Sequence, residues 1–503
     1  MAVLSSFLLN LGFTVVALLT ILVLYVKYKR SYWQRRGVST LPGHWLFGNI
    51  KDAALQKKSF AQVFGELYEQ AADTDDVLGI YVLHKPFLLI RNPEVIKQIL
   101  IKDFNVFPNR YFSVRSLHDD IGHRNLFSIE NPPWKYLRTK LSPVFTGVKL
   151  KKLFHLIVQN ANSMSKYMES QFLNGTKTKN MRVRDIALKY TTDIISNIAF
   201  GIEVNSFDPE KVEFFNKVQE GLQFSFKRGL EFSMMFFFPT IAKYIGTQML
   251  GSSTDYFRKV FWDSMDTRES NKIKREDLID LLLELKNEKQ ENSEFKFEGD
   301  TLLSQSAIFF VAGRESSVST ICFTLAELAK HPEIQKRTRA EILEKLEQYG
   351  MTYEAVQNMK YLHQVISETL RLYPPAPILD RVPVEDYKIP GTDIVLEKGT
   401  PVYISLTGLH RDPRYYRDPL SYNPDRYTDE NKNDIPPSTY IPFGEGPRVC
   451  IGTRLGQLQS AIGILTILKD YEVSYDSTCK CDIEKRNVFL SPVEDFRLNV
   501  TKI

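Results

Sequence analysis

Between Val3 and Val26 the only strongly polar side chain is Asn10. No other feature constrains the chain as much. In hydrocarbon every backbone N–H and C=O has to be satisfied inside the segment, and a single stretch can do that only as a helix. At 1.5 Å per residue these 24 residues make about 36 Å, enough to cross a hydrocarbon core of roughly 30 Å with some tilt. Lys27, Lys29, Arg30, Arg35 and Arg36 follow at once, and the positive-inside rule then places the bulk of the chain in the cytosol. A cleaved signal peptide carries its basic residues before the apolar core, and here they come after it. The expected organisation is a membrane anchor over 1–30, a proline/glycine joint over 31–50 containing LPGHWLFGN (Leu41 to Asn49), and one large domain over 51–503. The joint reads equally well as an ordinary loop. Under this topology the sequons at Asn174 and Asn499 stay unmodified.

Behind the anchor the 503-residue chain is 43% hydrophobic and 12% aromatic, ample for a large core. No Pro/Gly/Ser-rich linker, low-complexity tract or repeat divides it after residue 50. One body is therefore expected rather than the roughly three domains that length suggests. A formal charge of +5 is too modest at this length to argue for nucleic acid, and suits an anionic membrane surface or an acidic partner equally. Long segments carry helical apolar spacing, whereas alternating stretches are short: VLGIYVLH and PFLLIRN early, KIPGTDIVLEKGTPVYIS late. The fold class is mainly α with small β-sheets. EDLIDLLLELK (276–286) reads as a helix and the charged run from Lys286 to Asp300 as a solvated connection. Residues 300–330 read as one helix of about 45 Å, with its midpoint deep in a body about 60 Å across.

That long helix carries an expensive interruption. In AIFFVAGRESSVSTICF (307–323) an apolar run reaches a glycine, meets Arg-Glu-Ser-Ser and turns apolar again. An unpaired buried charge costs several kcal/mol or more, so the break is where function should be sought. The four cysteines, Cys322, Cys450, Cys479 and Cys481, make no disulfide framework or zinc motif, and reduced thiols facing cytosol are expected. Cys450 lies in PFGEGPRVCIG, where two glycines and a proline imply a tight hairpin presenting a thiolate. A phosphate loop matches poorly, because G-x-G-x-x-G fails after Gly446. A lone cysteine is usually a buried core residue. Here, however, the whole spacing is F-x-x-G-x-R-x-C-x-G, through Phe443, Gly446, Arg448, Cys450 and Gly452.

This spacing resembles the cytochrome P-450 superfamily of haem-thiolate monooxygenases, and further motifs follow in that family's order along essentially the whole chain. Glu368-Thr369-Leu370-Arg371 is similar to its E-x-x-R helix, and Pro424-Asp425-Arg426-Tyr427 to its P-E-R-F element with two conservative departures. Trp134 and Arg138 are similar to its W-x-x-x-R. The resemblance implies a triangular helical body around a buried haem, haem b with Cys450 as axial thiolate, and Trp134, Arg138, Arg381, Phe443 and Arg448 as cofactor-binding residues. It also implies a buried triad of Glu368, Arg371 and Arg426. On its own E-x-x-R reads as a solvent-facing i,i+3 pair. A thiolate ligand donates electron density to iron and favours O–O cleavage, and backbone amides and the metal keep it deprotonated.

Ala312-Gly313-Arg314-Glu315-Ser316-Ser317 is similar to the family's A-G-x-[DE]-T-[TS]. That implies Gly313, Glu315 and Ser316 as the catalytic segment passing over iron. The Ser316 hydroxyl, on the same face as Ala312, can bond the Ala312 carbonyl or relay a proton through water, with Glu315 joining the chain to bulk. The sequence leaves the family pattern twice. Serine replaces threonine, losing the β-methyl that fixes the rotamer, and Arg314 stands where relatives carry something aromatic or apolar. Arg314 must pair or reach water, and an acidic side chain on a neighbouring helix is its expected partner.

YWQRRGVSTLPGHWLFGN (32–49) and LRTKLSPVFTGVKL (137–150) are similar to the insect family-6 enzymes, whose usual role is oxidation of plant toxins and insecticides. This resemblance implies an endoplasmic reticulum membrane enzyme that inserts one oxygen atom of O2 into large apolar substrates. Its electrons would come from NADPH through NADPH–cytochrome reductase, with cytochrome b5 as a further partner the family allows. It places Phe112, Leu117, Phe127, Phe224, Ala312, Ala376, Ile378 and Phe489 in the substrate pocket. About half of the phenylalanines over 214–238 are expected to be core or lipid contacts instead. Lys135, Lys140, Lys149, Lys151 and Lys152 read as a basic face for an acidic reductase or as ordinary solvated lysines. Other functions stay open: a haem-thiolate isomerase or dehydratase, a hydroxylase of endogenous hormones or lipids, and a tethered binding protein for apolar ligands.

Overall fold

The computed structural model describes residues 2–112, 119–172, 175–288 and 295–503, with side chains from residue 6 onward. Leu117 and the Asn174 sequon lie outside the described residues. The apolar N-terminal run forms one helix, Ala2–Arg30. Its large side chains from Phe7 to Leu24 are 47–68% exposed, so that apolar stretch is not buried against the protein, and the helix is long and apolar enough to cross a membrane. Asp300–Lys330 is also long and apolar enough, but most of its apolar stretch is buried. Burial separates a core helix from one built for lipid.

Residues 31–50 are laced to the body. Trp33 is fully buried and its backbone N–H donates to Tyr81 Oη at 3.0 Å. Its ring lies on Gly79, where a Cβ would come within 2.4 Å of it. The early alternating stretches form the hairpin β1 (Val77–Val82) and β2 (Lys85–Ile90). Later strands are β3 (Thr178–Arg182), β4 (Ile378–Arg381), β5 (Tyr387–Lys388), β6 (Val395–Leu396), β7 (Val402–Ser405), β8 (Tyr471–Ser474) and β9 (Arg497–Lys502). They make sheets of order β1-β2-β7-β4, β3-β9-β8 and β5-β6, with β2 and β7 parallel. The Asn499 sequon falls in β9, between β3 and β8, and its amide donates to Asp476 at 2.7 Å.

Helices form the rest. The central helix runs from Asp300 to Lys330, with an acid in its first turn and a base in its last, matching the helix dipole. Against it pack Val183–Phe200, nearly all buried, and Thr453–Leu468, which directly follows the Cys450 loop. Helix Lys360–Leu372 is capped from outside: the Glu341 carboxylate accepts the Tyr361 and Leu362 amides, each at 2.9 Å. EDLIDLLLELK forms the helix Leu278–Asn287. The run leading to Asp300 is not wholly solvated, because Phe295 and Phe297 are buried in the main core.

Candidate active site

Cys450 ends a loop shaped by its glycines. Gly444 and Gly446 both sit at φ 75°, and a Cβ on Gly446 would lie 2.0 Å from the Leu100 carbonyl oxygen, so a side chain is excluded twice there. Cys450 N–H donates to Phe443 O at 2.9 Å and Val449 N–H to Gly446 O at 3.0 Å, closing the turn. The side chain of Cys450 stays open although the helix after it is among the most buried in the protein. The apolar protein around it desolvates the thiol and pushes it up, while the Gly452 amide, the Thr453 hydroxyl and the charges of Arg138 and Arg110 pull it back.

The surroundings carry too many cations for their carboxylates. Asp380, in β4, is saturated by Arg110 Nη1 at 3.1 Å and the amides of Tyr111 and Phe112 at 2.6 and 2.9 Å. Arg381 is buried, and among the described residues its only acceptor is the Asp380 carbonyl, at 2.7 Å, with Nε unpartnered. Arg448 donates to the Pro108 and Ile129 carbonyls at 2.6 and 2.9 Å and lies 4.3 Å over the Trp134 ring. Arg138, one turn after Trp134, is half-buried. Among the described residues none of these three guanidiniums meets a carboxylate. Burial, followed by the Arg110 charge, pushes Arg381 down to about 9. Burial also pulls Arg138 down, opposed by Cys450, and holds Arg448 well below its ordinary value. Surplus buried positive charge beside an open cysteine fits an anionic prosthetic group with a metal for the thiolate. No group of three or more His, Cys, Asp or Glu could hold a metal by itself among the described residues. Arg110 escaped the sequence reading, since nothing in its surroundings distinguishes it until Asp380 is folded against it.

Glu368, Arg371 and Arg426 do come together. Arg371 Nε and Nη2 donate to the two Glu368 oxygens at 2.8 Å each, and both side chains are fully buried. Arg426 Nε reaches Glu368 Oε1 at 3.3 Å, as does the Asn423 amide at 2.9 Å. Arg371 also donates to the carbonyls of His410, Pro419 and Ser421.

In the central helix Ala312 is exposed between half-buried Val311 and Gly313, so the wall opens there. The space beside Gly313 belongs to Ile195, whose Cδ1 would sit 2.8 Å from a Cβ. Ser316 Oγ donates to Ala312 O at 2.6 Å, the back-bonded arrangement of the two open to it. Gln459, nine residues after Cys450, donates to Gly313 O at 2.7 Å and also bonds Ser317 Oγ. It fixes the helix after Cys450 to the Gly313–Ser317 stretch of the central helix, and it too escaped the sequence reading. The expected acidic partner of Arg314 on a neighbouring helix is not what forms. The carboxylate is Glu315, next on the same helix at 3.1 Å, while neighbouring helices supply neutral Thr192 and Gln219. The long guanidinium bends toward helix Val183–Phe200, where Arg184 meets Glu315 at 3.2 Å.

Aromatic side chains gather around Phe236. Phe112 lies 5.2 Å from Phe127 and 4.2 Å from Phe236, and Phe236 lies 5.5 Å from Phe489. Phe489, Ile378 and Phe236 line one small cavity, Ala376 is half-buried just before β4, and Phe224 lies under Arg184. Phe214, Phe215 and Phe237 are core, whereas Phe226 is exposed. Of the candidate basic face, Lys140 pairs with Glu288, Lys149 and Lys152 with Glu276, and Lys151 with Glu354. Carboxylates thus neutralise most of that patch.

The family model described as Cytochrome P450 matches residues 39–500. Cytochrome P450 6k1 of Blattella germanica is 40% identical over 501 residues, covering 95% of this chain and 94% of that protein. Probable cytochrome P450 6g2 of Drosophila melanogaster is 36% identical over 476 residues, 92% of each chain. Cytochrome P450 6d3 of Musca domestica is 33% identical over 518 residues, 97% of this chain and 98% of that one.

Proposed function

The chain belongs to the cytochrome P450 family of monooxygenases, and on that premise we propose that it oxidises large apolar xenobiotics, plant toxins and insecticides among them, at the endoplasmic reticulum membrane. NADPH–cytochrome reductase supplies the electrons. The helix Ala2–Arg30 is the single anchor, 31–50 the joint, and 51–503 the cytosolic catalytic domain.

In this family the prosthetic group is haem with a cysteine thiolate on iron, and when bound it supplies oxygen activation, sending one oxygen atom into the substrate and the other into water. The tasks of the protein are then to bind, orient and meter protons. Cys450 provides the thiolate, Arg138, Arg381 and Arg448 with Trp134 hold the anionic edge, and Phe443 closes the loop around the ligand. Arg110 is a further cation for that edge. Glu315 takes protons from solvent and Ser316 Oγ passes them on past Gly313. Phe112, Phe127, Phe224, Ala312, Ala376, Ile378 and Phe489 form an aromatic and aliphatic wall that prefers apolar substrates entering from the membrane. Glu368, Arg371 and Arg426 hold the helix and loop on the cysteine side.

The observation that carries this reading is the Gln459 bond to Gly313 O, which sets the Cys450 loop and the Gly313–Ser316 segment at a fixed spacing. Full-length protein in vesicles with reductase and NADPH, offered a panel of plant toxins and insecticides, tests it. Expected are a strongly red-shifted Soret band of the reduced carbon monoxide complex, lost in Cys450→Ala, and NADPH-dependent substrate loss. Turnover without NADPH, or a preference for charged substrates, overturns it.

A further inference from the structure

Arg314 has no exposed surface, and its guanidinium joins three helices. Nε donates to Thr192 Oγ1 on Val183–Phe200 at 2.8 Å, Nη1 to Glu315 Oε1 at 3.1 Å, and Nη2 to Gln219 Oε1 on Glu213–Leu222. Glu315 is held from its other side by Arg184 Nη2, at 3.3 and 3.2 Å to its two oxygens. Arg184 in turn lies 5.0 Å from the Phe224 ring, just beyond the end of helix Glu213–Leu222. The Glu315 side chain is 21% exposed, against 6% for Arg184 and none for Arg314. The carboxylate therefore reaches solvent while both of its cations are locked.

A buried guanidinium is a costly way to fill a core, and an apolar residue of similar volume is often as stable or more so. Plain packing does not account for it. One donor is spent on Gln219, a neutral side chain from a helix that joins the body here. The position of that helix therefore decides whether the guanidinium is fully engaged.

We propose that Arg314 is a positioning residue that, with Arg184, fixes the Glu315 carboxylate, and that Gln219 makes this setting depend on helix Glu213–Leu222 being seated. With the helix down, Gln219 and Thr192 hold the guanidinium plane and Glu315 is presented in one orientation beside Ser316. With the helix lifted, Nη2 loses its acceptor, the guanidinium reorients and Glu315 is no longer fixed. Protons are then delivered in register only when the distal side is covered. This rests on the reading of Glu315 and Ser316 as the proton-delivery pair.

The test uses full-length haem-loaded protein with reductase, in Gln219→Ala, Gln219→Glu, Arg314→Met, Arg314→Lys and Glu315→Ala. Three quantities are read: amide hydrogen exchange over 213–222, the red-shifted carbon monoxide band, and the share of NADPH released as peroxide. Gln219→Ala is expected to speed exchange over 213–222 about tenfold, as losing a bond to a charged group would, and to raise the peroxide share at least about twofold with the band intact. Gln219→Glu, which keeps an acceptor, is expected to match wild type in both, and neither Arg314 variant to do so. Unchanged exchange in Gln219→Ala overturns the link to the helix. Faster exchange with an unchanged or lower peroxide share overturns the positioning of Glu315. If Glu315→Ala leaks no more peroxide than wild type, the proton-delivery reading fails and takes this proposal with it. If Glu315→Ala leaks and Gln219→Ala does not, this proposal alone fails. Should Arg314→Met not fold, the Gln219 pair decides.

Discussion

Arg371 grips both oxygens of Glu368 through parallel hydrogen bonds of 2.8 Å, with neither side chain reachable by solvent. The pair sits where charge is tolerated only because every arm is used: the remaining Arg371 donors end on the carbonyls of His410, Pro419 and Ser421. Removing one partner strands the other. Glu368→Ala is expected to cost about 3–5 kcal/mol, read as a lowered denaturant midpoint. Glu368→Gln, which keeps an acceptor, should cost less. Equal costs for the two would show that the lost charge, and not the lost acceptor, sets the penalty.

Gly446 permits no side chain, by conformation and by contact with Leu100 O. Gly446→Ala is expected to lose at least about 2 kcal/mol and to shift the reduced carbon monoxide spectrum from the red-shifted band toward an unshifted one, as the Cys450 loop relaxes. A wild-type band ratio would show that the loop tolerates the change.

Ser316 Oγ is bonded back to Ala312 O. Threonine at this position restores the β-methyl that restricts the rotamer. Ser316→Thr is expected to lower the fraction of NADPH lost as peroxide by a factor of about two, the equivalent of roughly 0.5 kcal/mol of rotamer preference. Peroxide assayed beside product formation checks it, and unchanged or greater leakage contradicts it.

His410 is fully buried, and its Nε2 accepts the Ile441 amide at 3.1 Å. Burial, and then the charge of Arg371, push it from 6.5 to about 3. The folded state keeps it neutral while the unfolded chain protonates below pH 6.5. Its contribution to stability is therefore complete above pH 6.5 and falls as pH drops toward 3. The slope is about 1.4 kcal/mol per pH unit. Urea unfolding of wild type and His410→Gln at pH 7, 6 and 5 checks this: the wild type should lose more stability on acidification. Parallel losses would place the acid sensitivity elsewhere.

Features set by neighbours a few residues apart were legible without the fold. The run from 300 to 330 is one helix from Asp300 to Lys330, as its spacing implies, and VLGIYVLH and PFLLIRN became β1 and β2. The Cys450 hairpin follows from where its glycines and proline fall. E-x-x-R was legible as an i,i+3 pair, because helical geometry alone brings Glu368 to Arg371.

What tertiary structure alone decided are the partners that come from far along the chain. Arg110 meets Asp380 across 270 positions and Gln459 meets Gly313 across 146, and neither arginine nor glutamine carries a periodic signal of such a meeting. Lysines that read as a basic face were neutralised by Glu276, Glu288 and Glu354. Arg314 was visible in the sequence as a charge needing a partner, but not which one. Local spacing dictates which groups share a turn or a strand, and it limited the fold to an apolar N-terminal helix and a helical body with a presented cysteine. Which buried charge is satisfied by which group depends on how distant helices dock, and that is set by packing of the whole core.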